Sequence, residues 1–141
     1  MKLYIDKNLN INPEKIDIMS QFCAFCAEHL PIQGEFKIFV VSDRPSHNIS
    51  TTALYEVNNN TCRIYAKNRA LVDVCRSIAH EMTHMMQDEM GLLRGHIQDA
   101  GGFHEDQANA RAGELIKRFA KSDEKRRGIY ESSRAFNSIL K

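Results

Sequence analysis

The feature that most constrains the fold of this chain is a run of apolar residues at helical spacing between residues 69 and 90. Residues that recur every three or four positions lie on one side of a helix, and an apolar side faces a core. Gly91 then tolerates the left-handed backbone that commonly follows a helix. The pattern predicts an amphipathic helix whose apolar side contains Leu71, Val74, Cys75, Ile78, Met82 and Met85.

The segments before this helix predict a further helix and several strands. A helix is expected over residues 13–30, because a proline at its first turn and a proline just after its end are typical helix boundaries. Runs of β-prone residues favour strands over 35–41, 51–57 and 61–67. The asparagines at 58–60 tolerate the backbone of a tight turn, so the last two strands are expected to form a hairpin.

Two more helices are predicted after a loop over residues 92–102. The first covers about 104–121, and the second covers 123–141, where Gly128 weakens it. We therefore expect an α+β fold with a small, mostly antiparallel sheet of three or four strands. The sheet is expected to pack against the N-terminal helix, the 69–90 helix and the helix that follows. A length of 141 residues fits one domain over residues 1–141.

Composition restricts the class of protein. The net charge of +1 gives no general attraction to nucleic acid, and the basic run at Lys125, Arg126 and Arg127 is interpreted as a solvated helix face. No apolar stretch is long enough to span a membrane, and the first residues do not resemble a signal peptide. We therefore expect a cytoplasmic protein with neither a nucleic-acid nor a membrane partner. The sequence does not determine the oligomeric state.

Cys23 and Cys26 form a C-x-x-C pair, which is found in redox and zinc sites. Both cysteines lie beside the apolar stripe of the first predicted helix, where a free cysteine behaves as a small hydrophobic residue. No second C-x-x-C completes a zinc site. Packing in the core is therefore the favoured interpretation.

The central helix contains the motif H-E-x-x-H as His80, Glu81 and His84. Residues four apart lie one above the other on a helix, so both imidazoles can bind one metal ion. Glu81 projects from the adjacent position and can accept a proton from a water molecule that zinc acidifies. The two histidines lie opposite the apolar side of the helix, on the same side as Asp73, Ser77 and Gln87. The alternative to a metal site is therefore an ordinary solvent-exposed polar face.

A catalytic zinc ion usually has three protein ligands. Glu105 lies at the start of the next predicted helix, on its apolar side, where a buried carboxylate needs a metal or a base. Asn109 lies one turn later and can hydrogen-bond a ligand histidine. Alternatively, Glu105 is an acid that simply favours the helix start.

These residues resemble the gluzincins, the thermolysin-like metallopeptidases with two histidines and one glutamate, and in particular their small intracellular and phage-associated members. The resemblance covers about residues 51–119 and includes the E-x-x-A signature at Glu105. It implies one zinc ion per chain, bound by His80, His84 and Glu105, with Glu81 as the general base and Asn109 as a partner of a ligand. It also implies that a peptide or protein substrate pairs with the edge strand Thr52-Ala53-Leu54-Tyr55.

Other interpretations remain open. His96 or His104 could be the third ligand, as in the three-histidine proteases that resemble SprT, or the site could hold zinc in a non-catalytic assembly or interaction protein. The substrate could also be another amide. A metzincin is disfavoured, because Gln87 and Met90 stand where its pattern requires Gly and His. No residue clearly matches the oxyanion-stabilising group of the larger gluzincins; the candidates are Tyr130, His96, His104 and Arg111.

Overall fold

The first helix follows the local sequence closely. The computed structural model describes residues 1–93 and 102–130. In it, helix α1 spans Pro13–His29, and the side chain of Asn12 accepts a hydrogen bond from the backbone N–H of Lys15 at its start. A cap of this kind satisfies a backbone donor that has no partner within the helix. The helix ends immediately before Leu30, as the proline spacing predicts.

Four strands form one sheet within the described residues. They are β1 (Lys2–Ile5), β2 (Lys37–Val41), β3 (Ala53–Glu56) and β4 (Thr61–Tyr65), and their order is β1-β2-β4-β3. β1 is parallel to β2 and β2 is parallel to β4, whereas β3 is antiparallel to β4.

The expectation of a mostly antiparallel sheet is therefore wrong, and the sheet is mixed. The physical reason is the connectivity, because α1 carries the chain from β1 back to the start of β2, and such a crossover produces parallel neighbours. The predicted hairpin of β3 and β4 is confirmed. Asn58 and Asn60 in its turn have positive φ angles of 67° and 47°, which asparagine tolerates.

Helix α2 spans Leu71–Glu89, and α3 spans Phe103–Ser122, so both predicted helices are confirmed. Gly91 follows α2 with a φ of 74°, in the left-handed region. The predicted helix over 123–141 is wrong for its described part, because Asp123 is extended and Glu124–Tyr130 forms a 3-10 helix. That segment packs against α1, where Gly128 lies so close to Ile18 that a Cβ atom would clash. Residues 131–141 lie outside the described part of the chain.

The core lies between one face of the sheet and the helices. It contains inward-facing strand residues such as Ile38 and Ile64 together with Phe22, Ile78 and Phe119 from the helices. All four cysteines are free and fully buried there, and burial raises the pKa of the Cys23 thiol to about 12. The C-x-x-C pair is thus part of the core, as expected. Among the described residues, no helix has the length and apolar character needed to cross a bilayer.

Candidate metal centre

Three side chains from two helices converge on one point. His80 and His84 lie one turn apart in the middle of α2, and Glu105 lies in the first turn of α3. One carboxylate oxygen of Glu105 is 2.9 Å from Nε2 of His80, and the other is 3.1 Å from Nε2 of His84. Within the described residues, these ligand atoms lie within 4.8 Å of one another, in a group that is positioned to hold a metal ion.

Close packing of α3 on α2 brings Glu105 to the two histidines. Ala108 and Ala112 follow Glu105 on the same side of α3, and both are essentially inaccessible to solvent. Small side chains at these positions allow the two helices to approach closely. The approach also covers the polar side of α2, so that His84 and Gln87 are buried rather than exposed.

His84 is the most buried side chain of the group. Its side chain is 5% exposed, and its Nε2 atom is buried without a hydrogen-bond partner. Buried polar atoms in proteins almost always have a partner. The contact of this nitrogen is the Glu105 carboxylate oxygen 3.1 Å away, which forms an ion pair with a protonated imidazole and can share a metal ion with a neutral one. This environment distinguishes His84 from a histidine on an exposed polar face.

His80 is the more accessible of the two histidines, with 20% of its side chain exposed. Burial lowers the pKa of its imidazole below the usual value, and the neighbouring His84 lowers it further. The charge of Glu105 and a hydrogen bond with the side chain of Asn109 act in the opposite direction. The neutral imidazole is the form that binds a metal.

Glu81 is close to this group but is not part of it. The residue is 8% exposed, and burial, followed by the charge of Glu105, raises the pKa of its carboxyl group to about 8. It lines a cleft of about 430 Å³ that also contains His80. The other residues of the cleft are Thr51, Thr52, Ala53, Arg69, Asp73, Arg76, Ser77 and Asn109.

The predicted substrate strand borders this cleft. Ala53 begins β3, and Thr52 immediately precedes it. β3 is the last strand of the sheet order, so one of its backbone edges has no strand partner in the described chain. Leu54 is partly exposed, whereas Tyr55 faces inward and donates a hydrogen bond from its hydroxyl to Asp88.

Among the described residues, the other predicted candidates are not part of the ligand group. His104 is outside the group, although its Nδ1 atom is buried without a partner, and His96 lies outside the described residues. Arg111 donates hydrogen bonds to Glu114 and to the backbone carbonyl of His29. Tyr130 lines a different cavity.

Sequence reasoning did not identify two residues near the site. Arg69 lines the cleft and donates hydrogen bonds to the backbone carbonyl of Tyr65 and to the hydroxyl of Ser77. The Oε1 atom of Gln87 lies 2.8 Å from Nδ1 of His84, and Gln87 is completely buried. The one available signal for Gln87 is its place beside the two histidines on the helical wheel.

A scan of the chain against profiles of protein families, a search of characterised proteins and a search of solved structures find no match.

Proposed function

We propose that this protein is a zinc-dependent metallopeptidase of the gluzincin type. The observation that carries the proposal is the convergence of His80, His84 and Glu105 around a buried imidazole nitrogen that has no hydrogen-bond partner. Two imidazoles and one carboxylate are a common ligand set of catalytic zinc, which keeps a fourth position for water or substrate. One zinc ion per chain is therefore the expected cofactor.

Zinc in such a site supplies Lewis acidity, which polarises a peptide carbonyl and acidifies water. Glu81 is suited to act as the general base, because its carboxyl group borders the cleft and does not contribute to the ligand group. It would take a proton from the attacking water and transfer it to the departing amine. Its burial next to Glu105 favours the protonated form that such a transfer produces.

The position of β3 favours a peptide as the substrate. An extended peptide can add to the open edge of a sheet through main-chain hydrogen bonds, which tolerate many side chains. The residues that begin this edge, Thr52 and Ala53, line the same cleft as His80 and Glu81. A bound strand would therefore pass its backbone carbonyls in front of the metal ligands.

Glu81→Gln tests the proposal in the full-length protein. We expect about one zinc ion per chain in the wild type and in the variant, because Glu81 is not a ligand. Hydrolysis of casein or of a peptide library should fall at least about 100-fold, the usual loss when a general base is removed. Glu28→Gln, which changes an exposed carboxylate on α1, should retain both zinc and hydrolysis.

Two results would refute the peptidase. If Glu81→Gln hydrolyses peptides as fast as the wild type, Glu81 is not the base. Zinc at full occupancy, without hydrolysis of any peptide by the wild type, would favour a non-catalytic metal-binding protein.

A further inference from the structure

Gln87 lies at the centre of a buried hydrogen-bond network between α2 and α3. Its Oε1 atom is 2.8 Å from Nδ1 of His84, three residues earlier on the same helix. Its Nε2 atom donates to the backbone carbonyl of His104 over 3.0 Å and to Oε1 of Gln107 over 2.8 Å. The side chain is completely buried, so water cannot replace these partners.

The backbone carbonyl of His104 determines which way the Gln87 amide faces. A carbonyl oxygen only accepts hydrogen bonds, so the atom of Gln87 that faces it must be the NH₂ group. The amide oxygen of Gln87 then faces His84. An amide oxygen also only accepts, so Nδ1 of His84 must carry the proton.

This assignment determines what Nε2 of His84 can bind. In a neutral imidazole with the proton on Nδ1, Nε2 has a lone pair and no hydrogen. That lone pair is 3.1 Å from a carboxylate oxygen of Glu105, so the two acceptor atoms meet favourably where a metal ion, or the proton of an imidazolium, lies between them. The protonation pattern is therefore the one required for metal binding through Nε2.

We propose that Gln87 is a positioning residue that holds His84 in its metal-binding tautomer. The same amide holds the first turn of α3, because its two acceptors, His104 and Gln107, lie on either side of Glu105 in the chain. One side chain thus orients a ligand on each helix. This inference extends the proposed function, since it assumes that His84 binds a metal.

The test compares Gln87→Met with Gln107→Met, a matched change in the same network. Methionine is similar in length to glutamine but offers His84 only a weakly accepting thioether sulfur in place of the amide oxygen. In metal-free protein at a pH where the imidazole is neutral, long-range ¹H–¹⁵N correlation spectra show which nitrogen of His84 carries the proton. We expect Nδ1 in the wild type and in Gln107→Met, and Nε2 or a mixture in Gln87→Met.

Zinc affinity, measured by competition with a chromophoric chelator, is the second readout. Loss of an outer partner of a metal-bound histidine typically weakens binding about 10- to 100-fold, which we expect for Gln87→Met. Gln107→Met should bind zinc nearly as tightly as the wild type, because the bonds from Gln87 to His84 and His104 remain. Thermal unfolding of the metal-free variants separates these effects from a general loss of stability.

A proton on Nε2 of His84 in the metal-free wild type would overturn the inference, and this measurement needs no variant. An unchanged tautomer and unchanged zinc affinity in Gln87→Met would also overturn it. If the wild type binds zinc but hydrolyses no peptide, the proposed peptidase function is wrong, whereas the proposed role of Gln87 in orienting His84 is unaffected.

Discussion

At the residue scale, Glu105 is the member of the site that contacts both histidines. Each of its two oxygens faces an imidazole nitrogen, at 2.9 Å for His80 and 3.1 Å for His84. Burial raises the pKa of a second carboxyl group, that of Glu81, and the charge of Glu105 raises it further. A divalent ion bound between the three ligands would favour the ionised form of both carboxyl groups, because opposite charge stabilises a carboxylate.

Removing that charge should therefore abolish metal binding. We expect Glu105→Gln to lose stoichiometric zinc after dialysis, while Asp106→Asn, which changes the exposed acid next to it in the same helix turn, retains zinc. Metal content by atomic absorption measures both variants. Zinc bound to Glu105→Gln at wild-type affinity would contradict the assignment and would favour a third ligand from elsewhere, such as a histidine.

At the scale of elements, the last turn of α2 connects the helix to the sheet. Asp88 accepts hydrogen bonds from the hydroxyl of Tyr55 in β3 and from the backbone N–H of Asn58 in the hairpin turn. Glu89 accepts from the backbone N–H groups of Gln33 and Gly34, in the loop before β2. The helix that carries the histidines thus also holds the edge strand in place.

The contact between Asp88 and Tyr55 should be measurable by a double-mutant cycle. Hydrogen bonds to a charged acceptor contribute about 1.5–3 kcal/mol. We therefore expect Asp88→Ala and Tyr55→Phe to be non-additive in urea unfolding, with a coupling energy of about 1–2 kcal/mol. Additive effects would show that the hydroxyl contributes nothing through Asp88. Under the proposed function, Asp88→Ala should raise KM for a peptide more than it changes zinc content.

Elements with local signals were predictable from the sequence. The prolines at the two ends of α1, the positive-φ asparagines of the hairpin and the apolar period of α2 all act within a few residues. β1 was not predictable, because it has only four residues and pairs with a strand more than 30 residues later. The parallel pairings likewise depend on contacts between distant segments.

The same distinction applies to the site. His80, Glu81 and His84 are detectable because their spacing on one helix is a local property. Gln87 is not detectable as a positioning residue, since its role depends on His104 and Gln107, which lie 17 and 20 residues away. Glu105 lies between these cases, because its apolar surroundings on α3 gave a reason to expect a buried partner.

At the scale of the whole molecule, the core contains four thiols that have no access to solvent. Burial raises the pKa of all four. Such groups contribute stability that is fully present below the unfolded thiol pKa of about 8.5 and is lost as the pH rises toward the folded value. The folded state should therefore be sensitive to alkali.

We expect the free energy of unfolding to fall above about pH 8.5 by about 1.4 kcal/mol per thiol for each pH unit. Cys75→Ala should make the pH dependence of the unfolding free energy less steep by about 1.4 kcal/mol per pH unit, the contribution of one thiol. In native protein at pH 8, a disulfide reagent should modify none of the four cysteines, and in urea it should modify all of them. A rapidly modified cysteine in the native state would contradict the described core.

Because the ligand group contains residues of both α2 and α3, an ion bound there would cross-link the two helices. An ion that binds only the folded chain adds about 2.7 kcal/mol of stability at 100 times its dissociation constant. The melting temperature thus becomes a direct gauge of metal occupancy. Ranking divalent ions by the thermal shift that each produces, and reversing it with a chelator, would identify the preferred ion before any substrate is known.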